Sequence, residues 1–285
     1  MIDMSAEPDI QQKIIKVLFI EYIFTDKDML MHKLGKQISK FVMINSNGRA
    51  RINYTTEKFV TNVSCDDASD KLIRSNCRDW IEQYEKDSEE SFDVYIHLCN
   101  PGTSTTNNKH CYTHNIFPNV IHELFHSDAF NMGHSCTLRK NNFIQSSADC
   151  YCIMNKNIPY VSLNPVKLQQ LKWLDTRSDG RMVLGSQGQT YEICELRTSY
   201  LNTRKLYVIN YKGTWISVGR GCLVIHTTIN DEKPFIRQTS LLIMNTQLVQ
   251  GSEYCIKYEK NKIDFKLSVI KWEPNLTDKV SILID

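Results

Sequence analysis

The chain has 285 residues, which is long for a minimal domain and short for three, so one large domain or two unequal ones are expected. Hydrophobic residues at 41% and charged residues at 23% are ordinary for a folded protein and argue against wholesale disorder. A net charge of +2 gives no electrostatic reason to expect a nucleic-acid or membrane-surface partner.

The opening MIDMSAEPDIQQK is acidic and polar, without the basic start and small-residue cleavage site of a signal peptide. The apolar run after it, residues 14–24, is interrupted by Lys16 and Glu21 and reads as a buried strand. No uncharged apolar stretch approaches the ~18 residues needed to span a bilayer. Residues 27–42 carry helical spacing through Met29, Leu34, Ile38 and Val42. Two short strands are expected next, RARINY after the Asn47, Gly48 turn and EKFVTNV at 57–63. Residues 68–86 form an amphipathic helix with Leu72, Ile73, Trp80, Ile81 and Tyr84 on its apolar face. FDVYIHL at 92–98 is a central strand, and the polar NPGTSTTNNKH reads as a loop. Pro118 then marks the first turn of another helix. Residues 135–162 read as irregular chain and 163–174 as a last helix. From about Arg181 short strand-like runs recur at turn spacing, which points to a small all-β, sandwich-like module. The boundary this implies separates residues 1–178 from 179–285.

Ten cysteines form an even set, yet several lie in apolar runs, such as Cys99 in YIHLC and Cys222 in GCLVIH. A free thiol there behaves as a small hydrophobe. Without an export signal the reduced reading and an intracellular setting are favoured. The Lys-, Asn- and Ile-heavy wording is compatible with an AT-rich genome, and a viral or parasitic source is the expectation.

The chemistry concentrates in VIHELFHSDAFNMGHSC, residues 120–136. On a helix, positions i and i+4 share a face, so His122 and His126 can reach one ion. Glu123 beside them can act as general base toward water on the ion's open side, while Val120, Ile121, Leu124 and Phe125 anchor the helix. A catalytic zinc needs a third protein ligand, and His134 is the candidate.

Here the sequence resembles the metzincin zinc peptidases, whose longer signature is H-E-x-x-H-x-x-G-x-x-H. Ala129 stands at the glycine position of that pattern and Met132 at its last histidine. Placing the turn at Asn131 restores the segment, since Asn131, Met132, Gly133, His134 reproduces G-x-x-H with asparagine in the left-handed position. The two extra residues either lengthen the helix by about half a turn or bulge as a loop. Met154, after the acidic and cysteine-containing run 146–153, stands where that family has its Met-turn. The order of elements, and Gln170, Leu171, Lys172, Trp173, Leu174, Asp175 after it, look most like the gametolysin-type peptidases over residues 13–175.

The resemblance implies an α+β fold. A twisted mixed sheet, an active-site helix and a Met-turn would make the peptidase domain, with the β module after it. It implies one catalytic Zn²⁺ on His122, His126 and His134, Glu123 as catalytic base, and Asn131, Gly133 and Met154 in support of the site. The expected activity is that of a zinc metalloendopeptidase, acting as a monomer on a peptide or protein chain extended along an edge strand. The competing class is an inactive metzincin-like binding protein with structural zinc or none.

Other candidates carry less. Asp128 is an alternative ligand but suits a helix end better. Cys150 and Cys152 form a C-x-C without a second pair, better suited to burial or a disulfide, for example with Cys136. His110 and His114 lie in a polar loop near the cleft, His97 and His226 in strands. Asn53, Asn62 and Asn275 head sequons that matter only after export.

Overall fold

The computed structural model describes residues 12–23, 30–60, 71–99, 104–114, 116–138, 144–145, 149–154, 163–174, 180–196, 205–229, 239–272 and 279–285. Met29, Cys65, Asp175, residues 61–63, and the Asn62 and Asn275 sequons lie outside them, as do the side chains of Leu72 and Ile73. The described chain is mixed α/β and divides into two compact units, Met1–Asn131 and Met132–Asp285.

The first unit is built on strand β1, Lys13–Ile23. Val17, Leu18, Phe19 and Ile20 are buried in succession, so this strand is covered on both faces. It pairs in parallel with β2, Ala50–Val60, over its whole length, and with β3, Val94–Leu98, on its other side. The two short strands expected at 50–63 are therefore one. Thr55 and Thr56 between them suit a strand, and the parallel register runs through them unbroken.

The polar stretch expected to be a loop, residues 100–110, holds one strand and the start of a second. β5, His110–Thr113, runs parallel to β3, and β4, Thr105–Asn107, lies antiparallel to β5. The sheet order is β2-β1-β3-β5-β4, leaving β4 at an edge. An edge strand with polar residues on both faces has no hydrophobic alternation, which is why the pattern hid it.

Helices α1, Leu30–Asn45, and α3, Phe117–His126, pack together, with Phe41 against Phe117 and Phe125. Helix α2, Lys71–Ser88, places Cys77 and Ile81 against Leu18, Ile20 and Tyr22 in a separate cluster.

In the second unit β6, Cys136–Leu138, and β7, Ile144–Gln145, join β8 (Met182–Leu184), β10 (Val208–Tyr211), β11 (Thr214–Gly219), β12 (Cys222–Ile229) and β13 (Thr239–Gln247) in a seven-stranded sheet. β9 (Thr190–Cys194), β14 (Glu253–Tyr258), β15 (Ile263–Trp272) and β16 (Lys279–Ile284) make a four-stranded sheet. Both contribute to one core, with Ile209, Ile216 and Ile225 from the larger sheet and Ile193, Phe265 and Ile282 from the smaller. β16, with the sequence KVSILI, is a strand beyond those expected from the sequence.

The composition shift near residue 178 is not where the units divide. β6 pairs in parallel with β13, so the chain just after His134 already belongs to the later sheet. Nor is this unit free of helix: α4, Pro165–Gln170, lies in it, with Pro165 opening the helix and Asn164 Oδ1 accepting from Lys167 N at 3.0 Å. Among the described residues no helix is long and apolar enough to cross a membrane.

Gly35 in α1 shows tertiary packing overriding propensity. Alanine is ordinarily better in a helix by about 1 kcal/mol. A Cβ at Gly35 would lie 2.6 Å from ring atoms of Tyr54, whose ring packs edge-on against Phe19. Gly35→Ala is therefore expected to lower the urea midpoint, by an overpacking cost of about 1–3 kcal/mol. In a Tyr54→Ala background the same change should become neutral or stabilising.

Candidate metal centre

Helix α3 buries Val120, Ile121, Leu124 and Phe125 completely, and this face holds the helix in the first unit. His122 and Glu123 are also buried, and His126 is half-buried. The Nε2 atoms of His122 and His126 lie 3.1 Å apart, with the rings edge to face at 4.7 Å.

The helix ends at His126, so the two extra residues do not lengthen it. Ser127 leaves helical geometry with ψ 161°, and its Oγ donates to Leu124 O at 2.6 Å. Residues 128–130 then form a turn closed by bonds from Phe130 N and Asn131 N to Ser127 O. The turn is tied down at three further points. Asp128 N donates to Asn108 O at 3.1 Å, Lys13 Nζ donates to Ala129 O at 2.7 Å, and the Phe130 ring packs edge-on against Phe125 at 4.8 Å. Asn131 has φ 53°, the left-handed conformation anticipated for it.

After this reversal the chain brings His134 back. The candidate ligand nitrogens of His122, His126 and His134 all lie within 4.8 Å of one another. Bonds of ~2.0–2.1 Å in a tetrahedral zinc site set two ligand nitrogens about 3.4 Å apart. The 3.1 Å pair lies close to that spacing, and the third nitrogen lies within 4.8 Å of both. Three imidazoles are also a donor set suited to zinc, so the residues fit the ion.

Glu123 is oriented from the edge strand. Thr106 Oγ1 donates to its carboxylate at 2.6 Å and lies 3.0 Å from its backbone carbonyl, while Cys111 Sγ approaches the same carbonyl at 3.4 Å. Burial pushes the Glu123 carboxyl up from its ordinary value, and the Thr106 hydrogen bond opposes that. Thr106 was missed in the sequence because it sits in the stretch read as loop.

On the other side of His134, Ser135 N donates to Met154 O at 3.0 Å, so Met154 is bonded to the residue next to the third histidine. Met154 itself is fully buried. The segment is fixed by the buried carboxylate of Asp149. It accepts from His226 Nε2 at 3.0 Å, Asn164 Nδ2 at 2.8 Å and Tyr151 N at 2.9 Å. Asn164 also reaches Ser240 at 2.7 Å and Ser135 at 3.3 Å.

The remaining candidates fall elsewhere. Asp128 is exposed in the turn and is not part of the histidine cluster. Cys136 and Cys152 are buried and Cys150 is exposed, and no disulfide joins any two of the nine cysteines among the described residues. His97 and His226 are buried in strands, and His114 is half-buried outside the cluster. His110 lines a surface cavity with Arg78, Lys109 and Asp128.

No family model, curated protein or solved structure matches this chain.

The left-handed turn generates a test. Asn131→Gly should hold zinc as the wild type does, whereas Asn131→Val, forced into a conformation costing about 1–2 kcal/mol, should bind it about tenfold more weakly. Competition with a zinc indicator measures both.

Proposed function

We propose that this protein is a zinc metalloendopeptidase of the metzincin kind, most similar to the gametolysin-type peptidases, with His122, His126 and His134 as ligands and Glu123 as catalytic base. The observation that carries the reading is the clustering of three imidazoles around a helix that also bears a buried, oriented carboxylate. A purely structural zinc site is closed by four protein ligands and has no use for such a group. Among the described residues the cluster contains three ligands, which leaves a coordination position open.

A zinc ion held there supplies a Lewis acid that polarises a peptide carbonyl and brings water close to deprotonation at neutral pH. Glu123 takes the proton of the attacking water and returns it to the leaving amine. Thr106 holds the carboxylate in one orientation, and the apolar face of α3 keeps the helix from shifting under it. The unpaired side of β4 offers backbone donors and acceptors to an extended peptide, and Thr106 lies on that strand. A peptide paired there passes beside Glu123.

The competing reading, an inactive scaffold, would rest on the extra residues before His134 displacing that histidine. Those residues are absorbed in the pinned turn at 127–131, which weakens it.

Glu123→Ala is expected to keep one zinc per chain and to lower cleavage of a broad-specificity fluorogenic peptide by about 10²–10⁴-fold. His134→Ala should lose both zinc and cleavage. Retained cleavage in either variant contradicts the assignment.

A further inference from the structure

A surface cavity of about 390 Å³ opens at the tip of the β4–β5 hairpin, lined by Arg78, Asn107, Asn108, Lys109, His110 and Asp128. Two of these are permanent cations, and among the described residues neither Arg78 nor Lys109 forms an ion pair with a carboxylate. The nearby Glu85 carboxylate is engaged instead by Tyr95 OH at 2.6 Å and Phe92 N at 3.0 Å. Lys109 Nζ makes a long contact, 3.5 Å to Phe92 O.

The histidine between them supplies no third cation. His110 stacks on Tyr95 at 4.7 Å, and its Nδ1 lies 3.0 Å from Nε2 of the buried His97. Two imidazoles sharing a hydrogen bond cannot both be charged. Burial first, then the positive fields of Arg78 and Lys109, pull His110 down to about 4, against an opposing pull from Glu85. Neutral, His110 offers its ring as part of the cavity wall.

We infer that this cavity binds the side-chain carboxylate of an acidic residue in an extended peptide, and so selects acidic substrates for the histidine site. Three observations point to a peptide carboxylate. Arg78 and Lys109 give charge to hold one anion, and Asn107 and Asn108 give amide donors beside it. Asp128, also lining the cavity, repels a doubly charged phosphate more strongly than a singly charged carboxylate. The cavity also adjoins strand β4 at Asn107, one residue beyond the Thr106 that holds Glu123. A strand pairing with β4 runs from the reacting centre toward these cations within a few residues.

The selection of substrates rests on the peptidase reading, but the binding of a carboxylate does not, so the two are tested separately. The probe is a set of octapeptides, blocked at both ends and labelled with fluorescein, with one Glu walked along an Ala/Thr background and a matching Gln set. Binding is read by anisotropy to the full-length Glu123→Ala chain, with and without Arg78→Glu and Lys109→Glu; both side chains are exposed, and circular dichroism confirms that the variants fold. At one or two positions Glu should bind about tenfold more tightly than Gln, and the double charge reversal should abolish or invert that difference. Equal binding of both sets overturns the inference, as does a Glu preference that survives the charge reversal. In parallel, wild-type kcat/KM for the same peptides should show the same preference. Glu-selective binding to the pocket without any cleavage would leave the carboxylate-binding inference standing and overturn the peptidase reading, and substrate selection with it.

Discussion

A left-handed residue at position 131 reverses the chain after helix α3, and the third imidazole comes within reach because of it. The reversal has to be rigid, since a floppy segment between His126 and His134 would make a metal ion order it on binding, at an entropic cost. The turn avoids this with local bonds to Ser127 O, a lysine on Ala129 O, a backbone bond to Asn108 and a ring packed on Phe125. The extra residues relative to the metzincin signature are therefore a built element of the turn.

Beyond His134 the chain is fixed by burial of a charge. Asp149 is fully buried, and a carboxylate in that position is tolerated only with its hydrogen bonds satisfied. His226, Asn164 and Tyr151 N satisfy it, and they come from β12, the cap of α4 and the Asp149 segment itself. The carboxylate thus joins three separate pieces of the second unit around Ser135 and the turn bearing Met154. Removing one donor would leave part of the buried carboxylate without its hydrogen bond, which costs more than losing a surface contact.

The sequence displayed the parts of this design that have a period or a motif. The buried β1, the apolar face of α3, the His122, Glu123, His126 spacing and the left-handed Asn131 all have local signatures, and each corresponds to an observed feature. The hairpin at β4 and β5 had none. Its strands are short, and β5 is anchored by pairing with β3, a contact made outside the hairpin itself, while the polar β4 pairs with β5. Thr106 and the Arg78, Lys109 cavity were hidden with it. The boundary near 178 misled for a related reason. Composition changes where the strands become regular, while the unit is defined by the pairing of Cys136 and Thr137 with β13, about a hundred residues later.

The measurement that bears most directly on the account is the metal content and X-ray absorption spectrum of the purified chain after reconstitution with zinc. One zinc per chain, bound by three imidazole nitrogens at ~2.0–2.1 Å with a light-atom fourth ligand, is the expected result. A chain that takes up no zinc, or binds it through sulfur or through only two imidazoles, would contradict the central claim that the turn at Asn131 delivers His134 to the metal.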